Sequence, residues 1–364
     1  MKVKVQNVNF EDLLKKMKKR EIKLKLNLHI IEGTGTREVD MISRSPKLGE
    51  IARVKVKVVD KVKKITSAHN QVTQAGAYYF LNTISGALRQ STAVSSGSYS
   101  GQLIIILNSG VNVNLAVTGI PQVISPTTGI IYYIATYTPG STVTISQLKL
   151  YISFAYATVG TGCPNVNFGC ASGTYTSYVT YYGPVIFAEL NLSLTLNSSS
   201  IYSFLWEIQI INNYTNPQQY NTITWLVFMF YNNTGYYPVV QNGILVITSA
   251  GTSNTYCGQN YSTIGVSKVN GFVYISGNGQ PYFILLTLFN NPISSSSEIG
   301  YINGILVTNL GLIAVNLSCS ACAPPNQAFL GCGLEIFGNF NIQIPAPSSS
   351  EPVITFLEAI TVTS

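Results

Sequence analysis

Charged side chains are scarce in most of this 364-residue chain. Of its 21 Lys and Arg residues, 18 precede residue 65, and the later ones are Arg89, Lys149 and Lys268. No Asp follows Asp60, so the last 300 residues hold 3 cations and 6 Glu, which is 3% of that segment, against about 25% in an ordinary soluble domain. Segment 1–64 therefore carries 18 − 8 = +10 and the remainder 3 − 6 = −3, and the net +7 averages two unlike regions.

The missing charges indicate the solvent that each region meets. Carboxylates protonate in strong acid, ion pairs then fail, and the remaining surface cations repel one another. Hydroxyl and amide side chains, which dominate residues 65–364, bind water without any dependence on pH. We interpret residues 65–364 as built for a hot or acidic exterior and residues 1–64 as facing a neutral partner. A Ser/Thr-rich β protein that simply uses few charges is the alternative.

Long apolar runs are also missing. The longest, such as residues 224–231, are soon interrupted by Asn or Thr, whereas a membrane-spanning helix needs about 20 apolar residues. The cationic N-terminus has no apolar segment behind it, which predicts that the chain has no secretory signal. We expect a protein without a transmembrane segment.

Histidine and aspartate are absent from residues 70–364. This excludes a Ser-His-Asp or Cys-His set from that region. A carboxylate pair for glycoside cleavage would have to come from its six Glu residues, of which Glu189 and Glu207 lie inside apolar strands and could be buried. A partnered structural carboxylate is the simpler interpretation of each. With no phosphate loop or dinucleotide fingerprint present, we predict neither an enzyme nor a cofactor.

All six cysteines follow residue 160, and an even number in an exterior setting favours disulfides. Cys163 and Cys170 would close a short loop and are predicted to pair. The other four, whose pairing stays open, are Cys257, Cys319, Cys322 and Cys332. The Cys319-Ser-Ala-Cys322 spacing also resembles half a zinc site that Cys257 and Cys332 would complete. Because zinc needs thiolates, which acid opposes, disulfides are favoured and no metal is predicted.

The charged segment predicts a small basic α+β module over residues 1–66. Apolar residues follow Asn9 at helical spacing, and two strands at 22–30 and 53–58 alternate between apolar and polar side chains. Their polar faces carry the cations Lys23, Lys25, Arg53, Lys55 and Lys57. We predict that this basic face binds an acidic neighbouring subunit or the phosphates of nucleic acid. A merely solvated face is the alternative.

The rest of the chain predicts one helix followed by strands. Residues 67–91 contain an apolar stripe that includes Val72, Tyr79 and Leu88, which favours a linking helix. From residue 92 onward, short apolar segments alternate with Gly-containing turn pairs. The predicted fold is mainly β, with tandem jelly-roll-like β-sandwich domains at 92–183 and 184–364. One large sandwich is the alternative.

Surface features of this β region are compatible with glycans without requiring them. Six N-x-Ser/Thr sequons occur, about the number that chance gives for this composition. They lie at Asn191, Asn197, Asn213, Asn232, Asn260 and Asn316. Tyrosine pairs such as Tyr132-Tyr133, Tyr181-Tyr182 and Tyr236-Tyr237 could stack on host sugars, although most are expected to be ordinary strand residues.

Two features resemble virion proteins. Residues 70–86, NQVTQAGAYYFLNTISG, resemble the N-x-(V/I)-T-x-x-G helix opening found near the starts of some phage and archaeal-virus virion proteins. The composition of the whole chain resembles that of structural proteins of turreted icosahedral viruses of hot-acid archaea, and among these a capsid vertex protein, the penton base or turret, is most similar. That resemblance implies tandem jelly rolls with one end in the shell, but it assigns no functional residue.

We therefore expect a viral structural protein of the capsid vertex type, assembled in the host cytoplasm and located on the virion surface. Residues 1–64 would anchor it among neighbouring capsid subunits, with viral DNA as a further partner, and a five-fold homo-oligomer is expected for a vertex. Deleting residues 1–64 is expected to leave a folded β protein that fails to incorporate into particles. The alternative is a tail-fibre or adhesin-like protein that binds host surface glycans.

Overall fold

In a computed structural model of the chain, the described residues are 10–17, 19–46, 48–89, 101–159, 177–212, 220–256, 259–268, 270–289, 301–314, 327–333, 340–343 and 354–364. The three helices within these ranges are α1 (Phe10–Lys16), α2 (Gln74–Arg89) and α3 (Asn221–Phe228). The first nine strands are β1 (Lys19–Ser45), β2 (Gly49–Asn70), β3 (Gly101–Leu107), β4 (Asn112–Ala116), β5 (Thr118–Ser125), β6 (Thr128–Tyr137), β7 (Val143–Val159), β8 (Ser177–Leu196) and β9 (Ile201–Ile211). The later strands are β10 (Tyr236–Tyr256), β11 (Gln259–Lys268), β12 (Asn270–Ile275), β13 (Pro281–Phe289), β14 (Tyr301–Ala314), β15 (Gln327–Gly333), β16 (Phe340–Gln343) and β17 (Ile354–Thr363).

The described strands form two sheets, which confirms the mainly β prediction. Sheet A has the order β12-β13-β17-β1-β9-β6-β5, and β2 also pairs with β1. Sheet B has the order β15-β14-β10-β7-β3-β4, with β8 on β7, β11 on β10 and β16 on β14. Jelly-roll connectivity in particular stays a prediction.

Strand β1 shows how the alternating sequence produces this fold. Successive strand residues point to opposite faces, and Leu24, Leu26 and Leu28 are buried while the alternating Lys23 and Lys25 are exposed. The strand predicted at residues 22–30 is thus confirmed. Its apolar face belongs to a core cluster that also contains residues of sheet B.

The basic segment is not a separate module. Strand β1 pairs with β9 in antiparallel fashion over Lys23–Gly33, and with β17 in parallel fashion over Lys19–Lys23. It is therefore an inner strand of sheet A, and its leucines help to form the main core. Deleting residues 1–64 would remove the strand that joins β9 to β17, so the structure makes loss of folding the expected result of that deletion.

The predicted linking helix is likewise part of the core. The helix itself is confirmed as α2, but it contacts β7 and β8 of sheet B as well as β12 and β13 of sheet A. Helix α3 also contacts strands of both sheets. One cluster of buried side chains includes both helices and both sheets, and the predicted boundary at 183/184 falls inside β8. In the described ranges, the two sheets therefore share one core, which is closer to the single-sandwich alternative than to tandem domains.

Four phenylalanines occupy the region where α2, sheet B and the segment after α3 meet. The ring centroid of Phe154 lies 5.8 Å from Phe80, 5.8 Å from Phe187 and 5.0 Å from Phe230. The Phe80, Phe154, Phe187 and Phe230 side chains are all fully buried. Tilted and edge-on aromatic pairs at such distances add to the free energy gained by burial.

The β1–β2 hairpin extends beyond sheet A and bends back over its outer face. Pairing of β1 with β9 ends at Gly33, beside a register shift between Glu32 and Gly33. Past this point the Val59 N–H donates to Ser203 Oγ at 2.9 Å, so the distal hairpin contacts side chains of β9. Its apolar face, formed by Val39, Met41, Val54, Val56 and Val58, packs on Ile120, Ile134 and Leu205. The hairpin thus forms an additional layer on sheet A.

Helix α1, predicted from its apolar spacing, packs at the other end of sheet A. Leu14 is buried against Tyr282 and Ile284. Glu11 accepts hydrogen bonds from the Tyr274 hydroxyl at 2.7 Å and from the Gly277 N–H at 2.8 Å. These bonds lower the pKa of the Glu11 carboxyl, the Tyr274 hydroxyl having the larger effect.

Candidate functional site on the hairpin and the outer face of sheet A

The five predicted basic residues do not form one face. Lys23 and Lys25 are exposed on β1 where it pairs with β9, whereas Arg53, Lys55 and Lys57 are exposed on the distal hairpin that bends over the sheet. The structure therefore divides the predicted anchor between two places.

The distal part of this predicted face is of mixed charge. Lys55 is the cross-strand partner of Asp40, and Lys57 is the partner of Glu38. Arg53 donates to Glu50 at 3.1 Å and to Asp40 at 3.3 Å. These two bonds raise the pKa of Arg53, with the Glu50 bond contributing most. In this part of the predicted basic face, β1 therefore places acids opposite the cations of β2.

A denser basic patch lies at the bend. Lys61, Val62, Lys63, Lys64 and Ile65 are all exposed, and we call these five residues the bend patch. The apolar side chains Val62 and Ile65 are 55% and 58% exposed. They are among the most exposed of the large apolar side chains described for this chain, and covering them with a partner would remove apolar surface from water.

The bend patch also lies on an edge. In the part of the chain that the structure describes, β2 forms a ladder with β1 alone. Edge strands present backbone donors and acceptors to a partner, and lysines commonly discourage uncontrolled pairing there. A specific partner for this edge would need acidic side chains.

The bend patch is missed when only the charges of the sequence are considered, although the sequence carries a signal for it. The alternation that runs through residues 53–58 fails at Val58-Val59 and again at Lys63-Lys64, where two cations follow one another. The structure shows a register shift opposite this pair, between Glu32 and Gly33. A broken alternation inside a strongly patterned strand is an indicator of a β-bulge.

A polar row crosses four strands next to the hairpin. Register pairing aligns His69 of β2, Asn27 of β1, Glu207 of β9 and Tyr132 of β6 on the outer face of sheet A. His69 Nδ1 lies 2.6 Å from Asn27 Oδ1, and Asn27 Nδ2 lies 3.5 Å from Glu207 Oε1. Burial and, to a smaller extent, the Glu207 charge raise the pKa of the Tyr132 hydroxyl.

A groove of about 720 Å³ opens at the β2 end of this row. Its lining includes Lys25, Asn27, His69, Asn70, Gln71 and Gln209. The lining thus includes amide, imidazole and ammonium groups, and the volume lies within the range of ligand-binding clefts.

The two candidate carboxylates are partnered and half-buried. Glu189 lies 3.5 Å from Lys149 Nζ and accepts a hydrogen bond from Gln147 at 2.7 Å. Glu207 is held by Asn27 in the polar row. They belong to different sheets, Glu189 to β8 and Glu207 to β9. The positions of Glu189 and Glu207 therefore agree with the interpretation of each as a partnered structural carboxylate.

The cysteine predictions lie outside the described side chains. Cys332 belongs to β15, but nothing is described of its side chain. The residues outside the described ranges are Cys163, Cys170, Cys257, Cys319 and Cys322. Their pairing stays a prediction. Among the side chains that are described, no group of three or more His, Cys, Asp or Glu residues could hold a metal ion.

The sequons have unlike environments. Asn191 and Asn197 are exposed. Asn232 is only 2% exposed, and its Nδ2, the atom that would carry a glycan, donates to the Phe230 carbonyl at 3.0 Å. Asn232 is therefore not an acceptor in the folded chain. Asn213 and Asn316 lie outside the described ranges, as does the side chain of Asn260 in β11.

One ring of each tyrosine pair named above is built into the core. Tyr133 and Tyr237 are fully buried and Tyr181 nearly so, and the Tyr181 hydroxyl donates to that of Tyr237 at 3.1 Å. Such rings cannot stack on a sugar. The expectation that most tyrosines are ordinary strand residues agrees with these positions.

Comparisons of the chain with family models, curated proteins and solved structures find no match. Within the described ranges, none of the helices has the length and apolar character that crossing a membrane requires.

Proposed function

We propose that this protein is a structural subunit of a virion shell, and that the bend patch attaches it to an acidic surface on a neighbouring subunit. The observation that carries the proposal is the bend patch itself. It places three exposed lysines and two exposed aliphatic side chains in one continuous run, in a chain where 18 of 21 cations precede residue 65.

Charge and shape both support a protein partner. Lysines on a strand edge steer an acidic surface into register, and the apolar side chains between them gain free energy when that surface covers them. Nucleic acid would use the lysines alone and leave Val62 and Ile65 in water. A neighbouring subunit uses all five residues.

The mixed-charge distal hairpin has a supporting role in this proposal. Its valines fix it to sheet A, so the bend is presented on a rigid layer. A rigid binding element loses little conformational freedom when the partner arrives. A position at the capsid vertex is the finer prediction, which follows from the resemblance in composition.

Charge reversal of the bend patch is expected to reduce incorporation of the full chain into particles by at least about tenfold, because like charges facing each other cost several kcal/mol. The variant is Lys61→Glu with Lys63→Glu and Lys64→Glu. Copies per particle, counted by quantitative mass spectrometry after co-expression with the partner shell proteins, are the measurement.

A matched variant controls for net charge. Lys15→Glu, Lys16→Glu and Arg44→Glu change the charge equally at exposed sites outside the patch, and this variant should incorporate like the parent chain. Thermal unfolding of both variants checks that each is folded. Normal incorporation of the patch variant would reject the attachment role. If the parent chain binds duplex DNA tightly and the patch variant does not, the bend patch is a nucleic-acid site instead.

A further inference from the structure

We infer that the groove beside the polar row binds an acidic saccharide. This inference does not rest on the shell role, since it concerns a second surface whose ligand is recognised by other residues. Lys25 is the one predicted anchor residue that lines this groove.

The groove contains hydrogen-bonding groups that the described chain leaves unused. Asn27 and Asn70 are engaged, because Asn70 Nδ2 donates to the Glu189 carbonyl and its Oδ1 accepts from the Gln71 N–H. Within the described residues, the side-chain amides of Gln71 and Gln209 and the ammonium of Lys25 make no hydrogen bond. Two amides and one cation therefore line one opening and can bind a ligand together.

His69 is oriented toward the same opening. The Asn27 amide nitrogen faces Glu207, so its oxygen faces His69, and this network assigns the proton of the neutral imidazole to Nδ1. Nε2 is then the nitrogen that a ligand can use. Glu207 thus orients the His69 ring indirectly, through the side chain of Asn27.

These groups match a polyhydroxylated ligand better than other classes. Each side-chain amide offers both a donor and an acceptor, and a sugar hydroxyl likewise donates and accepts. A sulfate or phosphate would only accept and would leave the amide oxygens unpaired. An apolar ligand would remove all of these groups from water without replacing their bonds.

The charge of the groove selects among saccharides. Lys25 carries the one charged side chain among the described lining residues, which also include Leu26 and Ser364, and Glu207 lies 3.5 Å from Asn27 Nδ2. A carboxylate on the sugar would form a charge-assisted hydrogen bond with the Lys25 ammonium, which is stronger than a neutral bond. A uronic-acid-type saccharide fits this arrangement, with its hydroxyls on Gln71, Gln209 and His69.

Isothermal titration of the full chain with a trimer of galacturonic acid, and with maltotriose as the neutral comparison, tests the inference. Low ionic strength is used because exposed charges are screened by salt. The acidic trimer should bind about tenfold more tightly than the neutral one. Gln209→Ala and His69→Ala should each weaken binding of the acidic trimer by about tenfold, the loss expected for one ligand hydrogen bond. Lys25→Gln should remove the preference for the acid.

Two matched controls lie outside the groove. His29→Ala changes the other histidine of the chain, and Lys57→Gln changes an exposed lysine of the distal hairpin. Both should bind the acidic trimer like the parent chain. Absence of binding to either trimer, equal affinity for both, or groove variants that bind normally would each overturn the inference. The titration uses the isolated chain and no particles. A negative result would therefore overturn the saccharide site without affecting the proposed attachment through the bend patch.

Discussion

Replacing Phe154 by alanine is expected to lower the free energy of unfolding by about 3–5 kcal/mol, the cost of removing a large aromatic side chain from a packed core. Phe154 is fully buried and contacts the rings of Phe80, Phe187 and Phe230. Those rings come from α2, β8 and the segment after α3, so no single element can move to fill the cavity. Chemical denaturation of the full chain is the measurement.

Phe272→Ala is the matched control, because the Phe272 side chain is 40% exposed on β12. An exposed position of this kind usually changes stability by about 0.5 kcal/mol. If both substitutions cost the same, Phe154 is not packed in the buried aromatic cluster described for it.

Gly33→Ala is expected to lower the free energy of unfolding by about 1–3 kcal/mol, as overpacking does, and to release the distal hairpin from sheet A. A Cβ at Gly33 would collide with the Lys61 carbonyl oxygen and with Val59 Cγ1, both on the facing strand. The two strands would have to separate where the hairpin bends. Hydrogen exchange of residues 34–59 should accelerate more than that of β9, because the bend holds only the hairpin in place.

Gly140→Ala serves as its control, since a Cβ there would meet no atom within 4 Å and the residue lies in an exposed loop. It should leave both stability and hydrogen exchange close to those of the parent chain. Unchanged exchange in residues 34–59 of Gly33→Ala would show that the bend does not depend on this close approach.

Local patterns in the sequence predicted local structure well. The alternation of Leu24, Leu26 and Leu28 with lysines specified both strand β1 and its buried face. The apolar stripe of residues 72–88 specified α2. Helix α3 was missed because all eight of its residues are buried, so the run has no polar face and periodicity cannot separate it from a strand.

Long-range arrangement could not be predicted from these patterns. The parallel pairing of Lys19–Lys23 with residues 359–363 joins the two ends of the chain, and no local signal marks it. The sharp change in charge at Lys64 suggested a domain boundary, yet β1 and β2 belong to sheet A. The charge of a segment reflects the solvent or partner at its exposed face, whereas its buried apolar face decides which strands it pairs with.

For the two candidate sites, too, single residues could be identified from the sequence but their spatial arrangement could not. Individual residues such as Lys25 and His69 are visible in the sequence, but their convergence with Gln209 depends on the pairing of β9 with β1. The bend patch differs from the neighbouring lysines of β2 by its register shift and its open strand edge, and both features are visible only in the structure.

In our proposal, a neighbouring subunit covers the lysines at the bend in the particle, whereas the isolated chain leaves them exposed. The most direct measurement is the acetylation rate of Lys61, Lys63 and Lys64 in intact particles and in the isolated full chain, resolved by mass spectrometry. We expect all three lysines to react at least about tenfold more slowly in particles, because a desolvated interface then surrounds the charged groups. Equal rates in the two states would show that no neighbouring subunit covers these lysines.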